Sequence, residues 1–187
     1  MKFLIAGLGN IGPDYVNTRH NIGFDVADAV ANSLGASFVS GKKAWVAEAR
    51  HKGKQLIIIK PTTFMNLSGE AVRFWMQDQK IAREHVLVVT DDLALPFGTL
   101  RMRPAGGAAG HNGITSIIEC LGTDQFARLR FGIGNDYPKG RQVDYVLGKW
   151  GKEEAAALPE RISVAEDMVK SFAAIGLQMT MNAFNNK

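Results

Sequence analysis

One histidine, His20, stands in a glycine-rich loop between an apolar run, Phe3-Leu4-Ile5-Ala6, and a helical pattern that opens at Phe24. Asn10 shares that loop. Asn66, Asp91 and Asn112 each fall further on, where an apolar segment gives way to a polar or glycine-rich one. A parallel or mixed sheet brings such loops to one rim. An asparagine amide can donate to a carbonyl oxygen and accept from water or an N–H, but it cannot take up a proton or attack carbon. An imidazole among amides, with an aspartate to fix its tautomer, has the make-up of a general base that activates water. Such a base contributes about 10²–10⁴-fold. That suffices for an activated ester and falls short for an ordinary amide. The competing reading is structural: a surface or core histidine, with asparagines that cap helices or make turns.

Other chemistries find little support. There is no Gly-x-Ser-x-Gly elbow, no His-Glu-x-x-His and no Cys-x-x-Cys. His20, His51, His85 and His111 lack metal-ligand spacing, so no metal and no cofactor is expected. Cys120, inside an apolar helical segment, reads as a small core residue rather than a nucleophile. Gly7-x-Gly9-x-x-Gly12 follows a strand as a dinucleotide fingerprint does. Pro13, Asp14 and Tyr15 then delay the helix, and Asp25 and Asp28 fall inside it instead of after a second strand. A dinucleotide-dependent enzyme is the weaker alternative.

The elements that must hold these residues alternate in type. Strands are expected over 3–8, 86–89, 99–103 and 128–133, and a hairpin over 45–50 and 55–59. Helices are expected over 24–34, closed by Gly35, from an N-cap at Ser68 to about residue 77, and over 114–121. Residues 36–43 read as loop. Ile162, Ala165, Val169 and Phe172 form one helical stripe, which Leu177, Met181 and Phe184 continue after Gly176. The fold class is therefore α/β, a mixed, twisted sheet with helices on both faces. The 187 residues, 46% hydrophobic and 21% charged, suit one domain spanning 1–187. No apolar run approaches the roughly 20 residues that span a bilayer, and no signal peptide is evident, so no membrane association is expected. A single cysteine fits a reducing cytoplasm, and a monomer is expected.

The net charge of +4 is local in origin. Residues 97–152 hold eight basic side chains against four acidic ones, and the rest of the chain balances. Such a bias suits a polyanion, although a solvated basic face explains it too. Alternation in Arg101-Met102-Arg103 and in Arg128-Leu129-Arg130 would aim each pair of charges to one side of a sheet. Charges so placed grip a phosphate backbone without reading its sequence.

Five blocks carry a resemblance: Gly7-Leu8-Gly9-Asn10 with Tyr15 and Thr18-Arg19-His20-Asn21-x-Gly23; Lys60-Pro61-Thr62-Thr63-Phe64-Met65-Asn66-Leu67-Ser68-Gly69; Asp91-Asp92-Leu93-x-Leu95-Pro96-x-Gly98; Gly110-His111-Asn112-Gly113; and Arg128-Leu129-Arg130-x-Gly132-Ile133-Gly134. In this order, and across essentially the whole chain, they resemble bacterial peptidyl-tRNA hydrolases. The resemblance implies hydrolysis of the ester joining a peptide to the 3′ end of tRNA, which recycles tRNA after premature release. It implies His20 as general base, oriented and charged by Asp91. Asn10, Asn66 and Asn112 would bind the peptide main chain and help place water and carbonyl. Tyr15 and Met65 would line the cleft for the terminal nucleotide and first residue. Arg101, Arg103, Arg130, Lys139 and Arg141 would hold tRNA phosphates, with no metal. Three departures stand out: Ile11 where proline is usual, Ala108 and Ala109 within the glycine loop, and arginine rather than lysine at 101 and 103. An RNA-binding relative that lost turnover is the alternative from another class.

Overall fold

In a computed structural model that describes residues 1–185, the chain runs β1 (Lys2–Gly7), α1 (Ile22–Ser33), β2 (Val39–Gly41), β3 (Ala44–His51), β4 (Lys54–Pro61), α2 (Ser68–Gln79), β5 (Val86–Asp92), β6 (Leu100–Arg103), α3 (Asn112–Leu121), β7 (Ala127–Gly132), α4 (Gln142–Val146), α5 (Lys152–Ile175) and α6 (Leu177–Phe184). The last two positions of the expected 1–187 domain lie outside the described residues. All seven strands form one sheet in the order β2-β3-β4-β1-β5-β7-β6. β4, β1, β5 and β7 are mutually parallel, while β2, β3 and β6 run antiparallel to their neighbours. The sheet is thus mixed, with helices on both faces.

Burial on both faces explains why the central strands read as continuous apolar runs. Leu4, Ile5 and Ala6 in β1, Leu56 to Ile59 in β4 and Val86 to Val89 in β5 are all fully buried. Alternate side chains go to opposite cores. Ile5, Ile58, Leu87 and Val89 pack with Val26 and Val30 of α1 and Met168, Val169 and Phe172 of α5. Leu4, Ile57, Ile59 and Val88 pack with Val72 of α2 and Ile114 and Ile117 of α3. The stripe read in α5 is the face that does this, and Leu177, Met181 and Phe184 of α6 extend it. Truncating Phe172 to alanine would cost about 3–5 kcal/mol.

Two expectations change. Residues 36–43 are not all loop: Val39–Gly41 pairs antiparallel with β3, Val39 opposite Val46. Its three residues include none that is buried, Val39 being 64% exposed, so this edge strand has no buried face to set a pattern. Ser68 is the first residue of α2 and not its N-cap. Its hydroxyl donates 2.7 Å back to the Met65 carbonyl, closing the 3-10 turn Met65–Leu67 that leads into the helix. The hairpin is as expected, turning on Lys52 and Gly53, both with positive φ, the twist that two-residue hairpin loops require.

The glycines of the first loop are explained by packing. A Cβ on Gly7 would collide with the Gly23 carbonyl oxygen, and one on Gly23 with the Leu8 backbone. α1 therefore docks directly on the end of β1. The fingerprint reading fails for this reason: α1 begins at Ile22, well beyond Gly12, and the intervening residues build a loop. From β1 the chain turns into α1 on one face, and after β5 it reaches α3 on the other. Loops that part between neighbouring parallel strands leave a crevice at their C-terminal ends. His20 and Asp91 occupy that crevice.

Candidate active site

The loop after β1 is stapled by two amides. The Asn10 N–H donates to Asn21 Oδ1 at 2.8 Å, and Asn21 Nδ2 donates to the Asn10 carbonyl at 2.9 Å. Asn10 is buried, and its Oδ1 accepts the Met65 N–H at 2.7 Å. That bond fixes the flip of the amide and leaves Nδ2 as its donor end. Asn21 closes a 3-10 turn, Arg19–Asn21, at the start of α1, and His20 is its middle residue.

From this turn His20 Nδ1–H donates to Asp91 Oδ2 at 2.8 Å. Asp91 ends the buried part of β5, and its side chain is 3% exposed against 11% for His20. Its other oxygen, Oδ1, accepts from His111 Nε2 at 2.7 Å. Burial pushes the Asp91 carboxyl up. The charges and N–H bonds of His111 and His20 more than offset this and hold it well below the usual carboxylate range. Burial lowers His20, but the charge of Asp91 and the bond to it raise it further, so the net shift is upward. An ionised carboxylate thus fixes the tautomer of His20 with its lone pair on Nε2.

His111 has no role in the sequence reading beyond its lack of metal-ligand spacing. It is the N-cap of α3, and its Nδ1 accepts from the N–H groups of Gly113 at 3.1 Å and Ile114 at 3.3 Å. This places the proton on Nε2, which faces Asp91 and also lies 2.9 Å from Thr90 Oγ1. A histidine between a glycine loop and a helical run was the available signal. His20, Asp91 and His111 bring one ligand-type atom each within 4.8 Å of one another, so spacing along the chain was a poor guide to proximity. With Nδ1 of His111 engaged by the helix and Nε2 protonated, the trio is arranged as a hydrogen-bond relay centred on a carboxylate.

Next to it opens a cleft of about 340 Å³, lined by His20, Asp91, His111 and Asn112 and also by Arg103 and Arg130. Asn112 is exposed at the first residue of α3. Asn66, also exposed, follows Met65 in the turn before α2. A Cβ on Gly113 would meet the Met65 sulfur at 2.7 Å, so that turn packs against the start of α3. Met65 itself is buried and serves through its backbone N–H on Asn10. Tyr15 is not among the residues that line the cleft. Its ring meets Phe64 edge-on at 6.4 Å, and Phe64 is 54% exposed.

The basic residues divide into classes that alternation alone did not separate. β6 and β7 pair Arg101 with Arg130 and Arg103 with Arg128, so all four point to one face. Arg128, however, is buried. It donates to the Asp124 carbonyl at 2.8 Å and lies over the Phe126 ring at 4.1 Å. Burial and the neighbouring Arg103 and Arg130 lower it to about 10, against the opposing charge of Asp124. β7 is therefore nearly all buried rather than alternating. Arg130 Nε donates to Asp92 Oδ2 at 2.6 Å. Arg103, Lys139 and Arg141 are exposed, Arg141 in an ion pair with Asp144 at 3.0 Å, and Arg101 is half-buried.

A carboxylate-held imidazole at the C-terminal rim of a mixed sheet, beside a donor amide and a basic wall, is the equipment of a hydrolase for an anionic substrate. Comparison with known proteins makes this specific. The family model for peptidyl-tRNA hydrolase matches residues 4–187. The chain is 54% identical over its whole length to the whole peptidyl-tRNA hydrolase of Phocaeicola vulgatus, and equally so to that of Bacteroides fragilis. The crystal structure of peptidyl-tRNA hydrolase from Acinetobacter baumannii, 33% identical, superposes with a TM-score of 0.91 over 98% of this chain and 94% of that one. The chain belongs to the peptidyl-tRNA hydrolase family.

Proposed function

We propose that His20 is the general base of peptidyl-tRNA hydrolysis and that the groups around it divide the reaction between them. The observation that carries this is the bond from His20 Nδ1 to Asp91 Oδ2, which commits Nε2 to water. Water bound there loses a proton to Nε2 as it attacks the ester carbonyl carbon. Asn10, whose Oδ1 is taken by Met65, offers Nδ2 to the oxyanion that forms. Collapse expels the ribose 3′-oxygen, which takes the proton back from His20, and the peptide leaves as a carboxylic acid that gives its remaining proton to water. Asp91 stabilises the imidazolium while it exists.

The two halves of the substrate leave the reacting carbon in different directions. The cleft bounded by Arg103 and Arg130 suits the RNA side. The exposed ring of Phe64 with Tyr15, beside Asn66, suits the first residue and main chain of the peptide, with Asn112 between the two. Arg101, Arg103, Lys139 and Arg141 supply charge to the acceptor-stem backbone. Arg130 does so with Asp92 partly neutralising it. One chain provides every group named, so a monomer acting in the cytoplasm, where peptidyl-tRNA arises, suffices. Among the described residues no helix is long and apolar enough to cross a membrane.

The test is His20→Ala assayed on an N-acetylaminoacyl-tRNA. Turnover should fall at least 100-fold, as expected for a general base, with RNA affinity kept. Retained turnover would reject the role.

A further inference from the structure

Arg19, next to His20, is 13% exposed at its side chain, and none of the chemistry above uses it. Its guanidinium lies 4.1 Å from the centre of the Tyr145 ring. Nη1 donates to the Tyr145 carbonyl at 3.1 Å and Nη2 to Glu154 Oε1 at 3.1 Å. The same Glu154 oxygen accepts the Gly151 N–H at 2.9 Å, which caps α5. The backbone follows the side chain: the Arg19 N–H donates to the Gly148 carbonyl at 3.0 Å, and Thr18 bridges to Lys149. The turn that presents His20 is thus seated on residues 145–149.

Tyr145 also closes the loop that carries Lys139 and Arg141. Its hydroxyl donates to the Ile133 carbonyl at 2.6 Å, where β7 runs out. Its N–H donates to the Arg141 carbonyl at 3.0 Å, at the start of α4. Tyr137, midway along the loop, packs its ring 5.1 Å from that of Tyr145. Both ends and the middle of residues 133–141 therefore bear on one tyrosine, and that tyrosine bears on Arg19.

Resting on the general-base reading of His20, we infer that Arg19 is a positioning residue: through Tyr145 it transmits contact of RNA with the 133–141 loop to the seat of His20. Binding energy from a remote part of a substrate raises kcat when it improves geometry at the reacting centre. A misplacement of about 1 Å there can cost about 100-fold. Phosphates gripping Lys139 and Arg141 would fix the loop, the loop Tyr145, and the Tyr145–Arg19 stack the turn at residues 19–21. A substrate without the acceptor stem has nothing to transmit.

Two substrates test this: an N-acetylaminoacyl-tRNA, and the same acyl group on a lone 3′-adenosine. For Arg19→Ala, kcat on the tRNA ester should fall about tenfold or more, with KM little changed. On the adenosine ester it should fall less than about twofold, there being no remote contact to transmit. Arg19→Lys keeps the charge toward Glu154 but not the planar stack, so it should restore thermal stability without restoring the tRNA advantage. Should Arg19→Ala fail to fold, Tyr145→Leu removes the ring while keeping the carbonyl, and the same loss of tRNA advantage is expected. Equal losses on both substrates, no loss on either, or full rescue by Arg19→Lys would overturn the inference. His20→Ala is the control: turnover there would sink the general-base reading and the coupling together, whereas an inactive His20→Ala beside equal losses in Arg19→Ala would sink the coupling alone.

Discussion

His111 donates its Nε2–H to Oδ1 of Asp91 at 2.7 Å, on the far side of the carboxylate from His20. One carboxylate therefore serves two imidazoles, and what each receives depends on the other. The Nδ1 of His111 accepts from the first N–H groups of the helix that it caps, so its Nε2–H meets Asp91 as a donor fixed in place. The same side chain ties the Asp91 carboxylate to α3, whose first residue is Asn112.

Removing that donor gives the first prediction. In His111→Ala, Asp91 loses one of the two N–H groups that hold its carboxyl low, becomes more basic, and leans harder on His20. The His20 pKa, already raised, should rise further, and the acid limb of kcat/KM should move to higher pH. The lost cap should lower stability by about 1 kcal/mol. A pH–rate profile with a thermal melt reads both. An acid limb that stays put would mean that His111 only caps the helix.

Replacing the carboxylate itself has the opposite sign. In Asp91→Asn the charge and the strong bond that raise His20 are gone, while the burial that lowers it remains. The His20 pKa should fall below 6.5, shifting the acid limb to lower pH as the plateau drops about 10²–10⁴-fold. Stability changes too. Asp91, depressed in the fold, contributes stability present above its unfolded value of 3.8 and lost as pH falls towards its folded one. His20, raised in the fold, contributes stability that is full below 6.5 and lost as pH rises through its folded value. As pH falls from 7 through 6.5 the parent chain should therefore gain stability from His20, while the variant, with its His20 pKa below 6.5, loses it. Only near and below 3.8 should the parent fall more steeply than the variant; chemical denaturation from pH 7 down to pH 3 reads both limbs.

Residues that share a strand end with an apolar run were readable from the sequence, because a parallel sheet puts such ends on one rim. His20, Asp91 and Asn10 are of this kind, and so are the central strands, whose burial on both faces leaves unbroken apolar stretches. Partnership across the chain was not readable. Nothing in the types or spacing of His111, Asp92 or Arg19 says that they meet Asp91, Arg130 and Tyr145, since 20, 38 and 126 residues separate those pairs. Arg128 misled for a related reason: alternation describes a sheet with one wet face, and β7 has almost none. The edge strand β2 escaped notice because its exposed residues set no pattern.

Charge pairing decides which basic residues matter for RNA. Each phosphate contact adds roughly 0.7–0.9 to the slope of log affinity against log salt. Lys139→Ala and Arg103→Ala, which remove exposed charges, should each flatten the salt dependence of KM by about that much. Arg130→Ala should flatten it less, because Asp92 sits 2.6 Å from its Nε. Asp92→Asn should steepen it. A KM series from low to moderate salt ranks the four, and equal slopes for Lys139→Ala and Arg130→Ala would show that the Asp92 pair opens on RNA.

The amide of Asn10 allows the donor role to be separated from the scaffold. Asn10→Asp keeps an oxygen for the Met65 N–H and the backbone bonds to Asn21, so the loop should stay in place and the melting temperature should barely move. What is lost is the Nδ2 donor, and on the proposed role the carboxylate that replaces it would face a developing oxyanion. Loss of one such donor lowers kcat about 10²–10³-fold, and the added repulsion should put the variant at or beyond the upper end of that range. Asn10→Ala should lose less kcat than Asn10→Asp but more stability, since the Met65 N–H is then left without its acceptor in a buried turn. Steady-state kinetics beside thermal melts would show this crossing of the two variants. If Asn10→Asp were instead the more active of the pair, the amide would be a structural acceptor alone, and the oxyanion would have to be met from elsewhere in the cleft.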